Sequence, residues 1–444
     1  MHRLMIASFL LGAAAADILN GTTLPPPDPF LASDILNDTA LPPPDPFSAS
    51  ESLELDQLER QWVAPPTVDG VQLFEGDILL SEEQRADSRK GAARKLWPNC
   101  YVPFVITNSS RADRSVILSA ISHWRSRSCL YFSERSESYR SAPHLRFIRS
   151  SGCWSYVGRQ ESNSGQFVSI GSGCNTLGIV AHEIGHAIGF WHEQSRRDRD
   201  SYISVLTENV ISGYEHNFEV RADEQARGVP YDLSSLMHYG GFGFSRNGLP
   251  TIVTNDVLLA GKIGQRSGLS HRDRQLANDL YDCDRFCMCI PRCRNGGFVD
   301  RYCRCRCPPG TTGMFCERLV GSYYGLTCGN QRITQPGLVT SRNFPSLYPA
   351  GEHCIWQVTA PAGRRVRVQF HTARVLYRYD GRCYWDWIAV HTDSDSRPDR
   401  VACGTELQNV AITTSGNRLV VEMHTYRQQV ASLQTGFNAT VTFV

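Results

Sequence analysis

The sequence predicts a multidomain chain: an α+β domain of two lobes, a small disulfide-rich module and an all-β sandwich. Three observations carry this reading. Between residues 96 and 283, strand-like and helix-like stretches come first, and irregular chain follows up to a helical stretch at 271–282. Cysteines crowd into 287–316, a spacing that suits disulfides in a module too small for a core of its own. From 328 to 444, runs such as VRVQF and LVVEM alternate apolar and polar residues, the period of a half-buried strand in a sandwich.

A length of 444 residues suits two to four domains. Lys+Arg 45 against Asp+Glu 44 leaves almost no net charge, which argues against nucleic acid and against a polybasic membrane anchor. Residues 1–16 read as a signal peptide: His2 and Arg3, an apolar run from Leu4 to Leu11, then Ala14 and Ala16 ahead of a cut before Asp17. That run is too short to span a bilayer, and no later segment is long and apolar enough, so no membrane span is expected. Sixteen cysteines and acceptor sequons at Asn20, Asn37, Asn108 and Asn438 fit a secreted, extracellular, disulfide-bonded glycoprotein.

Residues 17–90 read as a propeptide. DILNGTTLPPPDPF at 17–30 returns as DILNDTALPPPDPF at 34–47, and its triple prolines favour an extended spacer. Arg85, Arg89-Lys90 and Arg94-Lys95 offer several bonds to an activating protease. The next domain, 91–284, opens on LWPNCYVPFVI, a strand after proline punctuation. Val116, Ile117, Ala120, Ile121 and Trp124 repeat with helical period, LRFIRS and QFVSIG supply further strands, and a second helix starts near Leu177.

That second helix carries HEIGHAIGFWHEQSRRDRD at 182–200. His182 and His186, four apart, leave the same face of a helix, and Glu183 between them can reach a metal-bound water. Gly189 lets the helix stop and the chain turn, so that His192 returns as a third ligand. Three neutral nitrogens on Zn²⁺ leave room for water and substrate, the pattern of a catalytic rather than a structural site. The complete HExxHxxGxxH is the metzincin signature. With HEQSRRDRD, SSLMHYGG at 234–241, SGCWSYVGR at 151–159 and IGQRSGLSHRDRQLANDLYDC at 263–283, the chain resembles the astacin family of zinc metalloproteases. A glutamate directly after the third histidine and the SLMHYG turn favour that family over other metzincin branches.

The resemblance implies a two-lobed metzincin domain and an endopeptidase with one zinc per chain. Glu183 would carry the proton, and Tyr239 would be a loose extra zinc ligand that moves to the oxyanion. Met237 would form the apolar Met-turn beneath the histidines. Glu193 would pair with the matured N-terminus. FEGD at 74–77 resembles the family's pro-segment motif, so Asp77 would bind the zinc of the zymogen. CWSYV at 153–157 is the candidate edge strand for a substrate main chain, and Arg266 the candidate receptor for an acidic substrate side chain.

Residues 285–317 resemble an EGF-like module, and 328–444 a CUB domain; a zinc-binding cysteine cluster is the less suitable reading in a secreted chain. The resemblances pair Cys129 with Cys283, Cys153 with Cys174, Cys328 with Cys354 and Cys383 with Cys403. An EGF-like module needs six of its seven cysteines, and Cys287 and Cys289 compete for one place. Choosing Cys287 as the spare gives Cys289–Cys303, Cys293–Cys305 and Cys307–Cys316, with a Cys100–Cys287 bridge between modules. Asp386 matches one calcium ligand of CUB domains, but the other acidic places lack clear matches. The expected partners are protein or peptide substrates, with matrix or cuticle among the candidates, and protein contacts through the CUB and EGF-like modules. A non-catalytic matrix-binding role is the rival, and the intact His182, Glu183, His186, His192 and Tyr239 argue against it.

Overall fold

The computed structural model describes residues 67–444 except 69, 88–94, 222–225, 286, 326–330, 378–382, 384–385, 393–397 and 426–433. The expected signal peptide, the proline repeat, Asn20, Asn37, Arg89, Lys90, Arg94 and Cys328 lie outside the described residues. Among those described, no helix is long and apolar enough to cross a membrane.

The described chain enters as a short hairpin, β1 (Thr67–Val68) and β2 (Val71–Gln72), followed by α1 (Glu82–Asp87). YVPFVI forms β3 (Tyr101–Ile106), buried along its length by continuous apolar residues, as an inner strand requires. Next come α2 (Arg114–Arg125), β4 (Tyr131–Glu134), β5 (Leu145–Ile148), β6 (Cys153–Ser155) and β7 (Gln166–Ile170). The strands make one sheet in the order β4-β3-β5-β7-β6, parallel except for the antiparallel edge strand β6. α2 buries Ile117, Ala120, Ile121 and Trp124, its i, i+3, i+4, i+7 stripe. The Trp124 indole donates to the Ala181 carbonyl at 2.9 Å, which ties α2 to α3 (Leu177–Ala187). Among the described residues the second lobe is mostly irregular: an antiparallel strand pair, β8 (Ile203–Val205) with β9 (Ile252–Thr254), and then α4 (His271–Leu280).

Cys129–Cys283 ties the end of α4 back to the entry of β4 and closes 154 residues, a constraint on the order of 5 kcal/mol in chain-entropy terms. Cys153–Cys174 joins β6 to the loop ahead of α3. The small module holds β10 (Phe298–Val299), β11 (Cys305–Arg306), β12 (Thr311–Thr312) and β13 (Arg318–Leu319), paired as two hairpins.

Its disulfides correct the expected cysteine pairing. Cys287 bonds Cys303, beside Cys293–Cys305 and Cys307–Cys316, so the Cys289–Cys303 and Cys100–Cys287 bridges do not form. After α4 the chain turns at once, with Cys287 N–H donating to Asp284 O at 2.8 Å, and Cys287 is delivered to the module. Cys100 stays in the core of the first domain, its Sγ 3.5 Å from Cys129 Sγ. Cys100 is a buried free thiol and Cys289 an exposed one. Burial pushes the Cys100 thiol up, so it is both hidden and poorly ionised. Of the two, Cys289 should therefore react with iodoacetamide in the native protein and Cys100 only after unfolding. Equal labelling of both at native pH, read by peptide mapping, would contradict this arrangement.

The C-terminal sandwich packs β14 (Gln331–Ile333), β16 (His353–Thr359), β21 (Arg418–His424), β18 (Trp387–His391) and β19 (Arg400–Ala402), in the sheet order β14-β16-β21-β18-β19, over a second sheet. That second sheet is β15 (Gly337–Thr340), β22 (Gly436–Phe443), β17 (Val366–Arg374) and β20 (Ala411–Thr413), also in sheet order. Trp356, Phe370 and Phe437 stack edge to face between the sheets. Cys383–Cys403 is formed; Cys354 is disulfide-bonded, and its expected partner is outside the described residues.

The sandwich is fixed to the second lobe. Val257 and Leu258 pack on Ile355 and Val420, and Arg332 pairs with Asp256 at 2.8 Å.

Candidate metal centre and cleft

α3 begins where Thr176 accepts from the Ile179 N–H at 3.3 Å, a cap worth about 1 kcal/mol. It ends at Ala187, and Gly189 takes a φ of 105°, open to glycine at no steric cost. The turn carries His192 back over His182 and His186. The three rings are buried, and their Nε2 atoms converge: His182 lies 3.1 Å from His186 and 3.3 Å from His192.

The fourth member comes from the segment between β2 and α1. Phe74 and Ile78 close a tight loop by two backbone hydrogen bonds, with Glu75 and Gly76 both at positive φ. This loop aims Asp77 into the cluster. Its Oδ2 is 3.2 Å from both His182 Nε2 and His192 Nε2, and its Oδ1 is 3.6 Å from His186 Nε2. Asp77, His182, His186 and His192 together could hold a metal ion.

The donor set fits zinc. Each imidazole is oriented through its Nδ1: His182 to Leu236 O at 2.8 Å, His186 to Phe190 O at 2.8 Å, His192 to the Glu75 carboxylate at 2.6 Å. Carbonyls and carboxylates only accept, so the Nδ1 atoms carry the protons and the Nε2 lone pairs face one point. Zn–N distances of about 2.0–2.1 Å imply tetrahedral edges of roughly 3.3 Å, close to the separations here. Asp77 Oδ1 and Glu183 Oε2 are buried without a hydrogen-bond partner. Burial alone would raise Asp77, but His192 and His186 beside it hold it well below the usual carboxylate range. Burial lowers His192, and Asp77 and Glu75 more than reverse this, to about 9, so a cation held here would take the place of the Nε2 proton and use that lone pair. The centre therefore calls for positive charge.

The surrounding residues hold these rings in place. Asp273 on α4 accepts from Leu236 N–H at 2.8 Å and Ser235 OH at 2.6 Å, and Leu236 in turn orients His182. Met237 lies under α3, where an alanine Cβ at Gly185 would come 2.8 Å from its Sδ. Glu193 is buried; it accepts from Asp232 N–H at 2.7 Å and from Arg196 at 3.1 Å. Burial raises its carboxyl to about 8, against the lowering charge of Arg196. The Tyr239 hydroxyl donates to the Glu75 carbonyl, and its ring lies 4.6 Å from that of His192. Glu183 is buried on α3; burial, and next the charge of Asp77, push its carboxyl well up. Arg266 donates to His238 O at 3.0 Å and is near enough to Glu183 for its charge to act there. Asn108 is exposed, whereas Asn438 lies within β22, between Thr340 and Thr372 of the neighbouring strands.

The same segment also pairs with the edge strand β6. Ile78 bridges Ser155 of β6 in parallel, with Leu79 N–H to Ser155 O and Ser155 N–H to Asp77 O, both 2.9 Å. Phe74 meets Trp191 edge to face at 6.3 Å, and the Arg221 guanidinium lies 3.3 Å over the Trp191 ring.

Sequence reasoning missed Glu75. Its carboxylate takes His192 Nδ1 and the Ser195 hydroxyl at 2.8 Å, and its N–H donates to Asn217 at 2.9 Å. The only signal was its place beside Gly76 in FEGD.

Comparison with known proteins agrees with this geometry. The family model for the astacin peptidases matches residues 89–282, and the CUB domain model matches 328–441. Blastula protease 10 of Paracentrotus lividus is 38% identical over 84% of this chain and 65% of its own length. Zinc metalloproteinase dpy-31 of Caenorhabditis elegans is 36% identical over 76% of this chain and 60% of its own. The chain thus spans less than two thirds of these relatives. High choriolytic enzyme 1 of Oryzias latipes, a hatching-enzyme zinc protease of solved structure, is 34% identical over 44% of this chain and 96% of its own, with a TM-score of 0.39. With both blocks matched and the buried histidine cluster in the first, the chain belongs to the astacin family, a family of zinc peptidases, and it carries a CUB domain.

Proposed function

We propose that this chain is a secreted zinc endopeptidase made as a zymogen, which hydrolyses peptide bonds of extracellular proteins once its pro-segment is removed. The observation that carries the reading is the Asp77 carboxylate seated among three Nε2 atoms of buried histidines. His182, His186 and His192 would hold the metal, with Asp77 as fourth donor in the latent form. When bound, zinc supplies Lewis acidity that polarises a carbonyl and acidifies water. Glu183 takes the proton from the attacking water and returns it to the leaving amine. Tyr239, released from the Glu75 carbonyl, donates to the tetrahedral oxyanion. β6, vacated by residues 77–79, receives the substrate main chain.

Latency in this reading has several anchors: Asp77, the Glu75 bonds to His192 and Ser195, the β6 pairing, and Phe74 on Trp191. Cutting between α1 and Lys95 frees the pro-segment, and Glu193 then exchanges its partners for the new N-terminus. The module at 285–317 serves as an EGF-like spacer, Asn108 is a glycosylation site, and the CUB domain makes protein contacts.

Trypsin-treated protein should cleave a peptide library and lose that activity to a zinc chelator; failure of the treated, zinc-loaded protein to cleave any peptide would refute the reading. In the same assay Tyr239→Phe should lower kcat by roughly a hundredfold with little change in KM, because the lost bond forms mainly in the transition state. A loss confined to KM would remove Tyr239 from that role.

A further inference from the structure

The pro-segment fills the β6 side of the centre. On the Arg266 side, a groove of about 480 Å³ runs from Gly240 and Gly241, directly after Tyr239, to the face of the sandwich. One wall is protease: Phe242, Ile252 and Arg266. The other is the surface of β21, β18 and β19: His424, Trp387 and Val401. Trp387 is half-buried and stacks on His424 at 5.3 Å with 11° between the planes, and Val401 is 40% exposed.

The two walls are joined by a packed contact. Val257 and Leu258 are buried against Ile355 and Val420 beside the groove, and a Cβ at Gly261 would meet His353 at 3.0 Å. Both carboxylates in the sandwich wall are engaged: Glu422 by His353 at 2.7 Å and His391 at 2.8 Å, and Glu352 by Arg342 at 2.5 Å. What the groove offers is thus largely apolar and aromatic, and its near end, Gly240 and Gly241, follows Tyr239 directly in the chain.

We propose that this groove is a substrate subsite shared by the two domains, which receives an aromatic side chain carried several residues beyond the cleaved bond. The proposal rests on the endopeptidase reading above. An extended peptide rises about 3.3 Å per residue, so a six-residue extension reaches on the order of 20 Å beyond the cut. An aromatic ring on the Trp387 face, enclosed by Val401 and Ile252, adds burial and stacking there. Neither Trp387 nor Val401 belongs to the catalytic machinery.

The test uses the activated full chain and a peptide that it cleaves, in three forms: ending just past the cut, extended by six residues with a central Phe, and extended with Gly in its place. The Phe form should show kcat/KM about tenfold above the other two. Trp387→Ala should erase that advantage and leave the short peptide unchanged. Val401→Trp, which fills the groove without emptying the core, should do the same. The idea is overturned if the Phe form has no advantage in the wild type, if either variant keeps it, or if both variants slow the short and long peptides equally. Cleavage of the short peptide alone reports the endopeptidase reading, so its failure is seen separately.

Discussion

Glu183→Gln in the activated, zinc-loaded protein will abolish turnover and leave the metal in place. The substitution keeps the shape of the side chain and all three histidines. At Oε2 it also removes no hydrogen bond, because that buried oxygen has no partner. What is lost is the carboxylate that moves the proton from water to the leaving amine. Positioned acid–base groups contribute typically about 10²–10⁴-fold, and here one group serves both transfers, so a loss at or beyond the upper end is expected. The measurements are kcat on a cleaved peptide and zinc per chain by atomic absorption. Near-normal kcat would remove Glu183 from the mechanism. Loss of zinc together with activity would make it a structural residue of the centre.

The zinc centre was the most legible part of the chain because helix pitch does the reading. The i, i+4 spacing of His182 and His186 places both on one face wherever the helix lies, and Gly189 marks the turn that brings His192 back. The β-sandwich was legible for a similar reason: period two in VRVQF becomes the alternating burial of β17. The misses have a different physical character. Cys287 and Cys289 are two positions apart, and spacing could not say which way the chain leaves α4; the turn at Asp284 decides it. Glu75 belongs to no periodic pattern, and its role depends on contact with His192, 117 residues away. The seat of residues 77–79 on β6 and the groove between the first domain and the sandwich both arise from long-range packing, which periodicity does not encode.

Asp77→Ala in the uncleaved chain will give peptidase activity, and a second substitution at Glu75 will raise it further. Asp77 faces all three histidines, so removing its carboxylate opens the metal position to water. It does not by itself expel the pro-segment. The Glu75 carboxylate still binds His192 and Ser195, residues 78 and 79 still lie along β6, and Phe74 still rests on Trp191. Hydrogen bonds to charged groups are worth about 1.5–3 kcal/mol each, and about 1.4 kcal/mol is a tenfold change. Asp77→Ala should therefore raise the activity of the intact precursor by at least about tenfold, and Glu75→Ala with Asp77→Ala by roughly another tenfold. Glu75→Ala alone should do little, because Asp77 still fills the fourth position. Mass spectrometry must show the precursor uncut at the end of each assay, since an active precursor can process itself. If the intact Asp77→Ala precursor stays as silent as the wild type, steric burial of the cleft holds the enzyme latent and the carboxylate is incidental. If Glu75→Ala alone is the activating change, the latch is on His192 Nδ1 and not on the metal.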